Sequence, residues 1–146
     1  MIARPTLLLL LALCAAWLAG CSDRAAQQQS IERENIRTLA RLYGQYMSAH
    51  RGKTPASEAD FKKYIQSRKD ELAAEQITDI DALFVSNRDN QPYTIIYNMP
   101  PAKSMTPTGR VVAYEKQGVD GKRMVAYELM SVEELDEARF KTVVGK

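Results

Sequence analysis

The chain has 146 residues, 45% hydrophobic and 26% charged, with 20 Lys+Arg against 18 Asp+Glu and a formal net charge of +2. So even a balance excludes the basic footprint, gathered on one face, by which nucleic-acid-binding proteins are recognised. The length suffices for one domain with its own core and is too short for two comfortable ones.

Arg4 precedes an apolar run from Leu7 to Ala19, about 13 residues and short of the roughly 20 that cross a bilayer as a helix. A charged start, an apolar middle and small residues at the end are the layout of a secretory signal. The run closes on Leu18-Ala19-Gly20-Cys21, which reads as a lipobox: small residues before the scissile bond and a cysteine after it, whose thiol takes a diacylglycerol before cleavage. Cleavage is expected between Gly20 and Cys21, with lipid on Cys21. Residues 1–20 are then the signal peptide, 21–30 the lipidated N-terminus and polar tether, and 31–146 a single globular domain. Losing Arg4 with the signal lowers Lys+Arg from 20 to 19 against 18 acids, a net of +1. Cys14 leaves as well and Cys21 is consumed by lipid, so no thiol remains for a disulfide, a metal or nucleophilic catalysis, although the compartment permits disulfides. One acyl chain holds only marginally, whereas two or three hold firmly.

After the polar stretch Ser22–Gln29, Ser30 is a candidate N-cap for an amphipathic helix. Its apolar stripe is Ile36, Leu39, Ala40, Tyr43, Tyr46, Met47 and His50, with Arg37, Arg41, Gln45 and Ser48 opposite. Gly52 and Pro55 stop it. Ser57 with Asp60 three residues later opens a second helix, apolar at Phe61, Tyr64 and Ile65, with Lys62, Lys63, Arg68 and Lys69 solvated. Residues 71–84 are expected to be a loop with a short helical turn. Tyr93–Tyr97 is β-branched and aromatic, as strands prefer, and the prolines between Met99 and Gly109 make a loop. Arg110–Glu115 and Arg123–Leu129 are two further strands joined by a hairpin through Asp120-Gly121. Ser131 with Glu134 reads as a capping box opening a terminal helix through Leu135, Ala138 and Phe140. The order predicts an α+β fold, helices on an antiparallel sheet of about three strands.

Three stretches carry a resemblance: Leu42-Tyr43-Gly44-Gln45-Tyr46 through His50-Arg51-Gly52-Lys53-Thr54-Pro55, then Asn90-Gln91-Pro92-Tyr93, then Tyr114 to Gly121. In this order they resemble the helix end, Gly-x-x-Pro turn, strand entry and Asp-Gly of type II secretion pseudopilins, and they cover most of residues 31–123. The resemblance implies a pilin-like domain, a long helix laid across a small antiparallel sheet. The prepilin-peptidase Gly-Phe site and the early Glu of that family are missing, so the domain is similar and its attachment different. The resemblance also raises calcium near the Asp-Gly, with Asp120 the candidate ligand. Calcium takes six to eight oxygens, and Lys122-Arg123-Met124 follows without a second Asp, so Asp120 is expected to be a turn residue and no metal or other cofactor is expected.

Candidates for chemistry are few. His50 is the single histidine, and without a nucleophile motif such as Gly-x-Ser-x-Gly it is expected to be structural at the helix end. Asp79 and Asp81, or Asp89 beside Arg88, are the available acid–base pairs, and loop carboxylates are more often caps. Met99, Met105, Met124 and Met130 have the irregular spacing of core and loop filling. Tyr93, Tyr97, Tyr114 and Tyr127 either line a ligand face or pack beneath the helices; packing is expected. The functional expectation is a lipid-anchored envelope lipoprotein, not an enzyme. Its pilin-like domain is expected to serve a protein partner in a secretion or surface assembly. Ser22 after the cysteine suggests the outer membrane, facing the periplasm. A small-ligand or peptide-binding module is the alternative and an enzyme comes last; nucleic acid is not an expected partner.

Overall fold

The computed structural model describes residues 34–100 and 107–145. The expected signal (1–20) with Gly20 and Cys21, the expected tether (21–30), the candidate cap Ser30 and Met105 lie outside them. Helix α1 occupies residues 34–49, followed by α2 (Glu58–Gln66), α3 (Lys69–Ala74) and a 3-10 turn, Asp81–Phe84. The strands are β1 (Thr94–Ile95), β2 (Val111–Tyr114), β3 (Lys122–Tyr127) and β4 (Val132–Asp136), and helix α4 (Glu137–Val144) closes the chain. The sheet is antiparallel throughout, in the order β1-β2-β3-β4. The α+β class expected from the sequence is the observed one.

The predicted stripe of α1 is its core face: Ile36, Leu39, Ala40, Tyr43 and Tyr46 are buried. Thr38 and Leu42 are buried too. Around 36–47 the helix is therefore covered on more than one side, wider than the single stripe of a surface helix. Gly52 N–H reaches back to Met47 O at 2.8 Å, and both Arg51 and Gly52 are left-handed (φ 56° and 81°), a Schellman-type stop. Ser57 is the N-cap of α2, its side chain accepting from Asp60 N–H at 3.2 Å. Asp60 answers one residue earlier than a capping box would, accepting Ala56 N–H at 3.0 Å and the Tyr46 hydroxyl at 2.6 Å. One carboxylate thus fixes the start of α2 to the last turn of α1.

The sheet is covered on both faces. Val112, Met124 and Ala126 pack with Tyr43, Phe61, Ile65, Leu72 and Phe84 in the larger core. Val125, Tyr127, Leu135 and Phe140 form a second core under α4, with Val111 and Tyr114 against it. The register shift between Val111 and Ala113 is a bulge that places two consecutive residues against one partner.

Two expectations are corrected. Ser131 and Glu134 do not open a helix: Val132–Asp136 is the fourth strand, and α4 begins after Asp136, whose side chain accepts Arg139 N–H at 2.8 Å. Tertiary pairing overrides the local signal. Leu135 is drawn into the second core and Glu134 is held by Arg88 at 2.9 Å, so the segment alternates as a strand does. The first strand is also shorter than Tyr93–Tyr97, because Asn98 turns left-handed (φ 52°) and its N–H goes to Pro55 O at 2.8 Å.

The β2–β3 connection ends in a two-residue Asp120-Gly121 turn, both residues at positive φ, closed by reciprocal Val119–Lys122 hydrogen bonds of 2.9 and 3.0 Å. Gly118 just before it has φ 77°, and a Cβ there would lie 2.1 Å from Lys122 O. Gly118→Ala should therefore cost about 2 kcal/mol or more, combining left-handed strain with a backbone collision, and Gly121→Ala, with open space around it, about 1 kcal/mol. Urea unfolding checks this through the midpoint at unchanged slope. Equal costs would contradict the described turn.

Candidate functional site

The residues singled out from the sequence fall in separate places. His50 ends α1, its ring stacked on Tyr46 at 3.9 Å between centroids and its Nδ1 2.8 Å from Tyr46 O. Asp60 nearby is already engaged, and the Tyr46 hydroxyl and Ala56 N–H hold its carboxyl below the ordinary value. Asp79 caps the 3-10 turn, accepting Asp81 N–H at 2.9 Å and Ala82 N–H at 3.1 Å. Asp81 pairs with Lys62 at 2.8 Å. Lys62 also reaches Glu58 at 2.8 Å and lies over the Phe84 ring, so it is bound rather than freely solvated. Asp89 accepts N–H groups of Gly118 at 2.8 Å and Gln91 at 3.0 Å. Burial pushes its carboxyl up, and those hydrogen bonds outweigh burial and leave it low. Asp120 is the first residue of its turn, and among the described residues no three His, Cys, Asp or Glu stand together to hold a metal ion. Tyr93 belongs to the larger core with Tyr97 against it, whereas Tyr114 and Tyr127 belong to the second. The four tyrosines therefore line no common face. Met124 is core and Met99 packs on it, while Met130 is 54% exposed.

Arg88 pairs not with Asp89 but with Glu115 at 3.5 Å and Glu134 at 2.9 Å. Glu115, with no exposure at all, accepts the Ser86 hydroxyl at 2.8 Å and Met124 N–H at 2.8 Å. Burial raises its carboxyl above the ordinary value despite these partners and Arg88. The network joins the 85–92 loop to β2, β3 and β4. A carboxylate closed to solvent meets no substrate, and its partners make this cluster a clamp. Its trace in the sequence is an acid directly after the apolar Val111-Val112-Ala113-Tyr114.

The surface feature of the domain is at the β3–β4 turn. Tyr127 N–H bonds Ser131 O at 2.9 Å and Met130 N–H bonds Tyr127 O at 3.0 Å, closing a three-residue loop, Glu128-Leu129-Met130, with Met130 left-handed at φ 64°. Glu128 is buried and paired with Arg110 at 2.9 Å. Leu129 and Met130 are the large hydrophobic residues left exposed among the described residues, at 46% and 54%. The turn lies close on α1: a Cβ on Gly44 would stand 3.3 Å from both Glu128 O and Met130 Cγ. Between them runs an open groove of about 480 Å³ lined by Gly44, Gln45, Ser48 and Ala49 of α1, Tyr64 and Arg68 of the α2 side, and Glu128, Leu129 and Met130. The left-handed conformation costs an L-residue about 1–2 kcal/mol, and Gly or Asn would carry it more easily. Sequence patterning placed Leu129 in a strand; a Glu-Leu-Met-Ser turn without Gly, Asn or Asp carries little turn signal.

No family model matches the chain, and neither a curated protein nor a solved structure matches it.

The clamp has a measurable pH signature. Glu115 holds its proton more tightly when folded than at the ordinary value of 4.5. Its contribution to stability is therefore complete below pH 4.5 and is lost as pH rises through the folded value. Glu115→Gln should remove that decline in urea-unfolding free energy, and Arg88→Ala should cost about 3–5 kcal/mol at neutral pH by leaving a buried acid unpaired. The same decline in Glu115→Gln as in the wild type would contradict the assignment.

Proposed function

We infer that this chain is a bacterial envelope lipoprotein, held by lipid on Cys21, whose domain docks a protein partner rather than catalysing a reaction. The lipobox Leu18-Ala19-Gly20-Cys21 supports the anchor, and Ser22 supports the outer membrane, facing the periplasm. The observation that carries docking is the Leu129–Met130 pair, set outward on a tight turn. A large apolar residue kept exposed at a strained backbone position works against stability, which is where binding surfaces depart from local rules. The pilin-like likeness of the sequence fits a role in a secretion or surface assembly, with the anchor standing where a pseudopilin carries its filament-building helix.

A second reading, a periplasmic module for a small ligand, is favoured by one observation. A groove of about 680 Å³ between α4 and the sheet sets Tyr127, Glu133 and Arg139 beside Ile96, Met99, Val143 and Val144. Mixed polar and apolar walls of that size suit small ligands. Calorimetry with periplasmic extract fractions separates the two readings, since heat that survives removal of all protein favours this one.

The anchor is tested on the native protein. Mass spectrometry should find an N-terminal peptide beginning at Cys21 and carrying acyl mass, and fractionation should place the protein with the outer membrane. Cys21→Ala should lose the acyl mass and leave that fraction. A native N-terminus without lipid, or a Cys21→Ala protein still in the outer membrane, would overturn the anchor.

A further inference from the structure

The exposed turn runs straight into a strand whose outer side is unpaired. We propose that this outer edge of β4 takes up an extended strand of a partner protein, which pairs with it through backbone hydrogen bonds and sets an apolar side chain on Met130 at its end. This rests on the reading of the domain as a docking module and names what the partner presents.

The hydrogen-bond alternation of the sheet defines the edge. Along an antiparallel pair, residues alternate between bonding the neighbouring strand and turning their N–H and C=O groups away from it. Tyr127 N–H bonds Ser131 O at 2.9 Å, and the register continues as Val125↔Glu133 and Arg123↔Leu135, so Glu133 and Leu135 face β3. The phase is fixed a second time by Met124, which lies opposite Glu134 and turns its carbonyl to Glu115 N–H of β2 at 3.0 Å. Val132, Glu134 and Asp136 therefore direct their N–H groups outward, as Val132 and Glu134 do their carbonyls. Among the described residues none of these groups has a partner. Glu134 and Asp136 are exposed, so the edge is open to another chain. Its donors and acceptors recur at every second residue, about 6.8 Å apart, which is the repeat of a β-strand.

Sheet edges are ordinarily guarded by brevity, Pro, Lys, a bulge or a covering element. At the opposite edge β1 has two residues, and the chain turns away from it where Asn98 N–H reaches Pro55 O at 2.8 Å. β4 has five residues, Val-Glu-Glu-Leu-Asp, paired to β3 without a bulge and without Pro or Lys. Helix α4 covers the face of the sheet through Phe140, against Val125 and Leu135, and leaves the outward groups of β4 unpaired.

The acids of β4 decide against a second copy of this chain. Every antiparallel register in which two β4 strands overlap by more than one residue sets acid on acid: Glu133 on Glu133, Glu134 on Glu134, or Glu134 on Asp136. Like charges directly opposite are destabilising. The occupant is thus a different chain, without Asp or Glu where it faces these residues. No net charge is asked of it, because Glu134 is paired with Arg88 and Glu137 with Arg123, and Lys122 stands opposite Asp136. Backbone pairing supplies affinity and side-chain contacts supply specificity. Leu129 and Met130, 46% and 54% exposed, lie just before β4 and give the apolar contact that fixes which segment binds and in what register.

The test uses the full-length protein in its own cells, with p-benzoylphenylalanine at Leu129 beside the edge, or at Lys116 on the β2–β3 connection as a control. Irradiation should give a protein adduct from Leu129 and not from Lys116. The mapped peptide should hold a run of β-branched or aromatic residues without Asp or Glu. In the Leu129 background, Val132→Pro deletes an outward N–H that the ladder does not use, a place where edge strands tolerate Pro. It should lower the yield about tenfold where Val132→Ala lowers it little, the two variants melting at similar temperatures. Glu134→Pro against Glu134→Ala repeats the comparison at the next outward N–H. In the purified protein, amide exchange should be fast at Val132 and Glu134 and slow at Glu133 and Leu135. Equal yields in the Pro and Ala variants, slow exchange at Glu134, or an adduct from Lys116 alone would overturn the strand edge and leave docking standing. Adducts from neither position would overturn both. An adduct with phospholipid or with a second copy of this chain would overturn the proposed occupant.

Discussion

The Tyr43 ring is fully buried where α1, α2 and the sheet meet. It packs edge-on against Phe61 at 5.5 Å, and its hydroxyl donates to Ile96 O at 2.7 Å. Burial lifts that hydroxyl's pKa to about 12, so it stays a donor across the physiological range. One residue therefore joins the core to the strand end, and the rest of the described domain is arranged around that junction. Tyr46, one turn further along α1, repeats the device by donating to Asp60 at the start of α2. With α1 held at two levels, its exposed end at Gly44, Ser48 and Ala49 is fixed in position against the β3–β4 turn.

A second constraint holds the turn from the opposite side. Both faces of the sheet are covered, and the Ser86–Glu115–Arg88–Glu134 network ties β2 and β4 to the 85–92 loop. Glu128, at the root of the turn, is buried against Arg110. The two residues that follow are displayed by a rigid base, so little ordering entropy opposes their burial in a partner.

The legible parts of the fold were those decided by neighbours in the chain. Ser57 caps α2 and Asp120-Gly121 turns because each needs only its own few residues. The α1 stripe was legible because helical periodicity sorts one face, while Thr38 and Leu42 were missed because a second covering element leaves no periodic mark. The Ser131–Glu134 signal failed because Glu134 answers Arg88, 46 positions earlier in the chain, and Leu135 answers the core under α4. The candidate groove was the least legible feature. Its walls come from α1, the α2–α3 region and a turn with no Gly, Asn or Asp, and only the fold brings them together. The proposed lipobox is the reverse case, since a handful of adjacent residues, Leu18-Ala19-Gly20-Cys21, would carry the whole signal.

Together these features describe a domain that leaves one apolar turn, Leu129–Met130, uncovered among the described residues. The most direct measurement is methionine oxidation by dilute peroxide, read by mass spectrometry on purified protein and on intact envelopes. Met130, 54% exposed, should oxidise quickly in the purified protein and be protected in envelopes, while Met124, 1% exposed, stays slow in both. Met130 oxidising equally fast in both settings would contradict the claim that this turn is covered by a partner where the protein works.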